Sequence, residues 1–390
     1  MIVLRQTVAH VDLGAIRSNF QAISRFLEDG DARRLQQSPA AKTSTAPAPR
    51  PRIIAVVKAN AYGHGAPQVS LALEEAGAAM LACADIEEGI GLRQAGVQAP
   101  ILVFGALSVS DLGGVFEHRL TPTISTPSAA RALQSAASRR GAGLRCHLKI
   151  DTGMNRLGFR YDNLGRTLPE VAAAPNLRID AVYTHFATAD DPDHPAFAAQ
   201  RERFGAALAE LPRLGITTTI CHAANSAALL RDERVWHDFV RPGLVLYGIV
   251  PPPLATTLAL RPALSLHSRI VAVKGVRAGE RSGYGLRGSF DNPATLAIVP
   301  AGYADGLDVR LAGRGFMLVR GRRAPIVGSV CMDMTMIDVT GMDVAPGDEV
   351  VIIGTQGDDA IGVREMAAGI GTIPYELLCR VGSRIQRVYS

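Results

Sequence analysis

Over the first two thirds of the chain, short apolar runs alternate with segments of helical spacing. Eight runs have the length and composition of buried strands: IIAVVK ending at Lys58, MLACAD at Asp85, ILVFG at Gly105, LTPTIS at Ser125, CHLKID at Asp151, AVYTHF at Phe186, TTTICHA at Ala223 and FVRPGLVLYG at Gly248. Between them, apolar residues recur at helical spacing over 69–76, 86–95, 128–138 and 195–211, and another helical stretch over 13–27 precedes the first run. Eight such units in about 200 residues predict a (β/α)8 TIM barrel of the α/β class. A doubly wound sheet fits less well, because no glycine fingerprint follows the first strand.

From about residue 264 the pattern changes to strand-like runs broken by glycine, among them SRIVAVKGV, TLAIVPAGY, FMLVRG, APIVGSVCMDMTMIDV and DEVVIIG, with helical spacing only over 363–368 and 375–381. This predicts a second, mostly β domain. The expected organisation is an N-terminal segment 1–10 packing with the C-terminal domain, a barrel over 11–263 and a C-terminal β domain over 264–390. Within the barrel, residues 30–52 read GDARRLQQSPAAKTSTAPAPRPR and lack sustained apolar periodicity, so they are expected to form a disordered insertion between a helix and a strand.

A length of 390 residues exceeds one domain of roughly 100 to 200 residues. With 47% hydrophobic and 20% charged residues the chain has the composition of a soluble globular protein. The net charge of +5 invites a nucleic-acid reading, but the 30–52 segment alone carries Arg33, Arg34, Lys42, Arg50 and Arg52 against Asp31, and so holds +4 of it. No nucleic-acid partner is therefore expected. No apolar run approaches the ~20 residues of a membrane span, and the N-terminus lacks the apolar core of roughly 7 to 15 residues that a secretory signal needs. Five widely spaced cysteines with no CxxC pair give no metal-site pattern and suit a reduced, cytoplasmic protein.

In a barrel, the residues at the C-terminal ends of the strands face the active site. Lys58, Lys149, His185, Asn225, Ser226 and Arg241 stand there. Each taken singly has a structural reading, and convergence on one rim gives the functional reading its weight. Lys58 ends an apolar strand and opens KANAYGHG; partial desolvation there lowers an amine's pKa and makes it a nucleophile toward an aldehyde. Neither GxxxxGK[ST] nor GxGxxG is present, which weakens nucleotide readings. Asn225 and Ser226 after the seventh strand, and Gly243 and Leu244 after the eighth, occupy the loops where barrels bind phosphate. Pyridoxal phosphate would account for a lysine on one strand and a phosphate cradle on others.

AVVKANAYGHG, HLKIDTGMNRLGF, THFATAD, HAANS, RPGLVLYG, the GYG at 283–285, GYADG, RAPIVGSVCMDM and GTIPYE occur in the order and spacing of the alanine racemases, and the chain resembles that family from about residue 11 to 381. The resemblance implies a fold-type-III pyridoxal-phosphate enzyme that interconverts L-alanine and D-alanine, supplying D-alanine for peptidoglycan. It also implies a homodimer whose active sites each use residues of both chains. Carried over by position, Lys58 resembles the lysine that bonds the cofactor and acts as one base, and Tyr284 resembles the opposite base given by the partner subunit. An unperturbed tyrosine titrates near ~10, so a neighbouring cation is expected to assist it, with His185 and Arg156 as candidates.

Arg241 resembles the arginine facing the pyridine nitrogen. Guanidinium keeps its proton, so that nitrogen stays unprotonated, which argues against the related decarboxylases that place a carboxylate there. Tyr62, Ser226, Gly243, Leu244 and Tyr375 match phosphate contacts, and Arg156 matches the contact to substrate carboxylate and cofactor phenolic oxygen. Lys149 matches a lysine often carbamylated, which then positions that arginine. Tyr303, Met332 and Asp333 match residues of the substrate site and its access path. The rival readings are a serine or broad-specificity racemase, a pyridoxal-phosphate decarboxylase, and a non-catalytic pyridoxal-phosphate-binding protein; the presence of both Lys58 and Tyr284 speaks against the last. The 30–52 insertion departs from the family, where a much shorter connection is usual.

Overall fold

The computed structural model describes residues 6–37, 50–107, 111–218 and 220–390. They divide into two compact units, one holding Ile16–Ala61 and Ala66–Arg261, the other holding the described residues up to Ala15, Tyr62–Gly65 and Pro262–Ser390.

In the first unit eight parallel strands close on themselves: Arg52–Val56, Met80–Cys83, Ile101–Val103, Thr121–Ile124, Leu144–Asp151, Leu177–Tyr183, Cys221–Asn225 and Phe239–Arg241. The last pairs with the first through Phe239↔Arg52 and Val240↔Ile53, which makes the sheet a barrel. Most strand residues are buried, as expected where side chains fill the interior and helices cover the outside. The covering helices include Ala66–Glu75, Ile86–Gln94, Pro127–Arg139 and Ala196–Glu210, close to the spans that spacing predicts. Their starts carry local signals: Asp85 Oδ1 accepts from the Glu88 amide at 2.8 Å, and Thr126 Oγ1 accepts from the Ala129 amide at 3.1 Å just before Pro127.

Two spans differ from expectation. The eighth run is strand only over Phe239–Arg241, because Pro242 offers no amide to continue the ladder, and Leu244–Tyr247 turns into a 3-10 segment. All four residues of that segment are buried, and an apolar run buried on every side reads alike as strand or helix. The first helix spans Leu13–Gln37 and takes in residues 30–37, read above as part of a disordered insertion. The ARRLQQ stretch is made of good helix formers, and Gly30 lets the helix approach Trp236, whose ring would lie 2.3 Å from a Cβ at that position. The rest of the insertion, over 38–49, lies outside the described residues.

The second unit is built on a sheet ordered Ala272–Val276, Ala294–Val299, Thr335–Asp338, Arg322–Val327, Phe316–Val319, Glu349–Gln356, Leu264–Arg269, Val8–Val11 and Gln386–Tyr389. The N-terminal strand Val8–Val11 runs antiparallel to Leu264–Arg269 and parallel to Gln386–Tyr389. Tyr62–Gly65 joins this unit, with Arg387 Nε donating to the Gly63 carbonyl at 3.1 Å. Among the described residues no helix is long and apolar enough to cross a membrane, no group of His, Cys, Asp and Glu has metal-ligand geometry, and no disulfide joins any of the five cysteines.

Candidate active site

The first barrel strand delivers Lys58 at its C-terminal end, and the backbone then winds left-handed: Ala59, Asn60, Ala61 and Tyr62 all have φ between 51° and 54°. Such a turn costs roughly 1–2 kcal/mol per non-glycine residue and persists only where its surroundings hold it. Here Glu88 Oε1 accepts from the Ala59 amide at 2.7 Å while its Oε2 accepts from Ala84, and Asn60 Oδ1 accepts from the Ala66 amide at 2.8 Å. The amide directly after Lys58 is thus fixed by a carboxylate from the helix Ile86–Gln94.

Arg241, at the end of the eighth strand, is only 3% exposed. Its Nη1 donates to His222 Nδ1 at 2.8 Å, and its Nη2 donates to the carbonyls of Thr184 at 2.8 Å and Ala223 at 2.9 Å and reaches His185 Nδ1 at 3.3 Å. No carboxylate takes part, and burial lowers the guanidinium's pKa to about 10. His185 is held well below the ordinary imidazole range, first by burial and then by Arg241, Lys149, Arg156 and Lys58. Burial and these cations favour its neutral ring, which speaks against His185 as the cation beside a phenolate. Tyr183 stacks on His222 at 4.7 Å and 10°, and Arg241 sits 5.3 Å above the same tyrosine ring.

Lys149 lies buried on the fifth strand. Its pKa falls to about 8, first through burial and then through Arg156 and Arg241, with Asp151 opposing. Arg156, in the loop after that strand, is exposed. Lys58, Lys149, Arg156 and Arg241 thus form a field of positive charge around a neutral His185, a setting that favours anionic ligand groups. Nearby, Ser226 opens the helix Ser226–Arg231 and its Oγ accepts from the Gly243 amide at 2.9 Å, so this amide is engaged within the protein. Asn225 caps that helix, its Oδ1 accepting from Ala228 at 2.9 Å.

The remaining predicted residues belong to the second unit. Tyr62 and Tyr375 lie with ring centroids 5.9 Å apart, and burial raises the Tyr62 pKa, which keeps its phenol a donor. Tyr284 sits between Gly283 and Gly285, both at positive φ, with Ser329 Oγ donating to its carbonyl at 2.8 Å; its side chain is 78% exposed. It borders a cavity of 410 Å³ with Cys331, Met334 and Met336. Tyr303 and Met332 are 46% and 51% exposed and neighbour each other, since Tyr303 N donates to the Cys331 carbonyl and Ala304 N to the Met332 carbonyl. Asp333 accepts from Arg384 Nη2 at 2.6 Å. Tyr284, Tyr303 and Met332 are thus large side chains that this unit leaves exposed.

Reading strand ends missed Glu88, His147 and His222. His147 precedes Lys149 by two positions, so the period-two alternation of a strand places it on the same side; that signal was present in HLK.

The sequence profile described as alanine racemase, N-terminal domain, matches residues 31–251, and the one described as alanine racemase, C-terminal domain, matches 263–389. An alanine racemase of Symbiobacterium thermophilum is 40% identical over 99% of this chain and 97% of its own length, and one of Carboxydothermus hydrogenoformans is 41% identical over 99% and 100%. Among solved structures, the alanine racemase of D-cycloserine-producing Streptomyces lavendulae superposes with a TM-score of 0.90 at 34% identity, covering 99% of this chain and 97% of that one. The Bacillus anthracis alanine racemase with bound L-Ala-P gives 0.88 at 34%, covering 100% and 96%.

Proposed function

The chain belongs to the alanine racemase family, and from that premise we propose that it interconverts L-alanine and D-alanine as a homodimer, with pyridoxal phosphate bound at Lys58. The observation that carries this reading is Arg241, a buried cation whose partners are all neutral acceptors. The donor set suits the cofactor: positive charge from Lys58, Arg156 and Arg241 matches its phosphate, its phenolic oxygen and a substrate carboxylate. When bound, pyridoxal phosphate supplies an electron sink that acidifies the Cα–H bond of an amino acid.

Arg241 would hold the ring nitrogen by donating to it; because guanidinium does not surrender that proton, the nitrogen stays an acceptor and the sink stays weak, which favours proton exchange over decarboxylation. Tyr62, Tyr375, Ser226, Gly243 and Leu244 would hold the phosphate, with Gly243 releasing its bond to Ser226 Oγ if its amide takes part. His185, kept neutral, packs without adding charge. Inversion at Cα requires a base on each face. The Lys58 amine takes or returns the proton on one face, and the phenol of Tyr284 of the partner subunit does so on the other. Tyr284's exposure on its own chain agrees with a role completed by a second subunit. Arg156, with Met332, Tyr303 and Asp333 of the partner subunit, would orient the substrate carboxylate and its approach. Lys149, lowered to about 8, offers at neutral pH a share of the uncharged amine that carbon dioxide converts to a carbamate, and the resulting anion would pair with Arg156. Five cysteines outside disulfides agree with a cytoplasmic location.

The test is circular dichroism of purified protein with L-alanine and pyridoxal phosphate. Ellipticity should decay to zero from either enantiomer, and Lys58→Ala should abolish both the decay and the visible absorption of lysine-bound cofactor. Constant ellipticity in the loaded protein, or an unchanged spectrum in the variant, overturns the reading.

A further inference from the structure

We propose that His147 is a positioning residue for the reaction: by accepting a hydrogen bond at Nδ1, it fixes the tautomer of His222 that presents a lone pair to Arg241. The inference rests on the reading of Arg241 as the partner of the cofactor's ring nitrogen.

The direction of every proton in this chain follows from one end. Guanidinium donates and never accepts. Arg241 Nη1 lies 2.8 Å from His222 Nδ1, so that nitrogen accepts. A neutral imidazole that accepts at one nitrogen carries its hydrogen on the other. His222 Nε2 lies 3.0 Å from His147 Nδ1, so His222 donates there and His147 accepts. Both rings are buried beside a cation, and neither is charged: burial, then Arg241 and His147, holds His222 well below its ordinary range, and burial is the largest cause that takes His147 down to about 4.

What remains free is the placement of one proton. Stacking on Tyr183 fixes the plane of His222, and the backbone carbonyls of Thr184 and Ala223 accept from Arg241 whatever the histidines do. Were the His222 proton to move from Nε2 to Nδ1, an N–H would face the guanidinium N–H at 2.8 Å, and the lone pair left on Nε2 would face that of His147 Nδ1. With His147 present, both contacts fail together, so the tautomer is locked. Without its acceptor, the Nε2–H is buried unpaired, and the tautomer is held from the Arg241 side alone. Asp180, Arg241 and Arg145 are the charged groups that bear on His147, and no carboxylate stands between it and His222.

The experiment is nitrogen NMR of the full-length holoenzyme labelled with ¹⁵N-histidine, with racemisation followed on the same samples. The wild-type His222 should carry its proton on Nε2 alone. In His147→Leu that signature should be partly lost, with a second His222 population protonated at Nδ1, kcat should fall about tenfold with little change in KM, and the visible absorption maximum of bound cofactor should shift. His147→Asn, whose Oδ1 can accept in place of Nδ1, should recover most of kcat. A wild-type His222 protonated at Nδ1, or at both nitrogens, overturns the proposal without any variant having to fold. So does a folded His147→Leu that keeps the tautomer, whether its kcat stays within twofold or falls equally in His147→Asn, since that pattern marks packing alone. A protein inert toward alanine whose His222 is protonated at Nε2 supports the proton placement while overturning the reading it rests on, so the two failures are told apart.

Discussion

Three imidazoles, His147, His185 and His222, sit in the barrel as neutral rings, and this has a consequence for acid stability. Their native pKa values lie below that of an unfolded histidine, ~6.5: His147 falls to about 4, and burial with Arg241 beside them holds His185 and His222 well below the ordinary imidazole range. Below pH 6.5 the unfolded chain therefore binds protons that the native state does not, and native stability falls as pH falls. Each ring contributes a slope of up to about 1.4 kcal/mol per pH unit, and His147 stops contributing once the pH drops below about 4. Between pH 6.5 and 5 most carboxylates are still ionised, so denaturant unfolding in that window should show a steady decline, and His147→Asn should make it shallower. A flat profile would mean that these rings are not held neutral. At this scale the candidate residues at strand ends were legible, because a barrel exposes them by construction. The His147 to His222 link was not, since it depends on which residues of the fifth and seventh strands approach each other across the interior, and spacing along one strand does not give that.

Elements decide where the site residues point. The left-handed turn after Lys58 could not be read from KANAYGHG, where only Asn60 among the four turn residues favours that conformation; Glu88 holds the first amide of the turn, and Asn60 ties the turn to the Ala66 amide that follows it. The eighth strand and the first helix were misjudged in length for different reasons: one apolar run is buried all round, and one polar run is composed of helix formers. Conversely, the helices Pro127–Arg139 and Ala196–Glu210 were legible because buried and exposed positions alternate with helical period along them. In the second unit, Gly302 carries the position of Met332. A Cβ there would fall 2.3 Å from the Cys331 carbonyl oxygen and 2.4 Å from that of Met332, both backbone atoms with little room to yield. Gly302→Ala should therefore displace the segment assigned to the substrate carboxylate, raising KM for alanine roughly tenfold more than it lowers kcat, and should cost about 1–3 kcal/mol of stability. Steady-state kinetics with thermal unfolding would check both, and an unchanged KM would remove Met332 from the substrate site.

At the scale of the whole molecule, the two proposed bases lie on different units, Lys58 in the barrel unit and Tyr284 in the other. If each active site draws Tyr284 from a partner, then mixing inactive Lys58→Ala and Tyr284→Phe subunits should restore activity, up to about a quarter of the wild-type value after random reassortment. One site of each hybrid then has both bases. No recovery despite verified subunit exchange would exclude a shared site. The division into barrel and β units was legible from the change of hydrophobic period near residue 264, whereas the placement of Tyr62–Gly65 in the second unit follows from tertiary bonds such as Arg387 to Gly63. Trp236 gives this division a practical handle. It is the chain's one tryptophan, fully buried against Phe26 and over Gly30, with its indole N–H bonded to the Leu229 carbonyl, all within the barrel unit. Its emission is therefore a label for the barrel unit that nature has already installed. Melting curves from fluorescence and from far-ultraviolet dichroism will coincide if the units unfold as one and separate if they do not, with no dye, tag or substitution required.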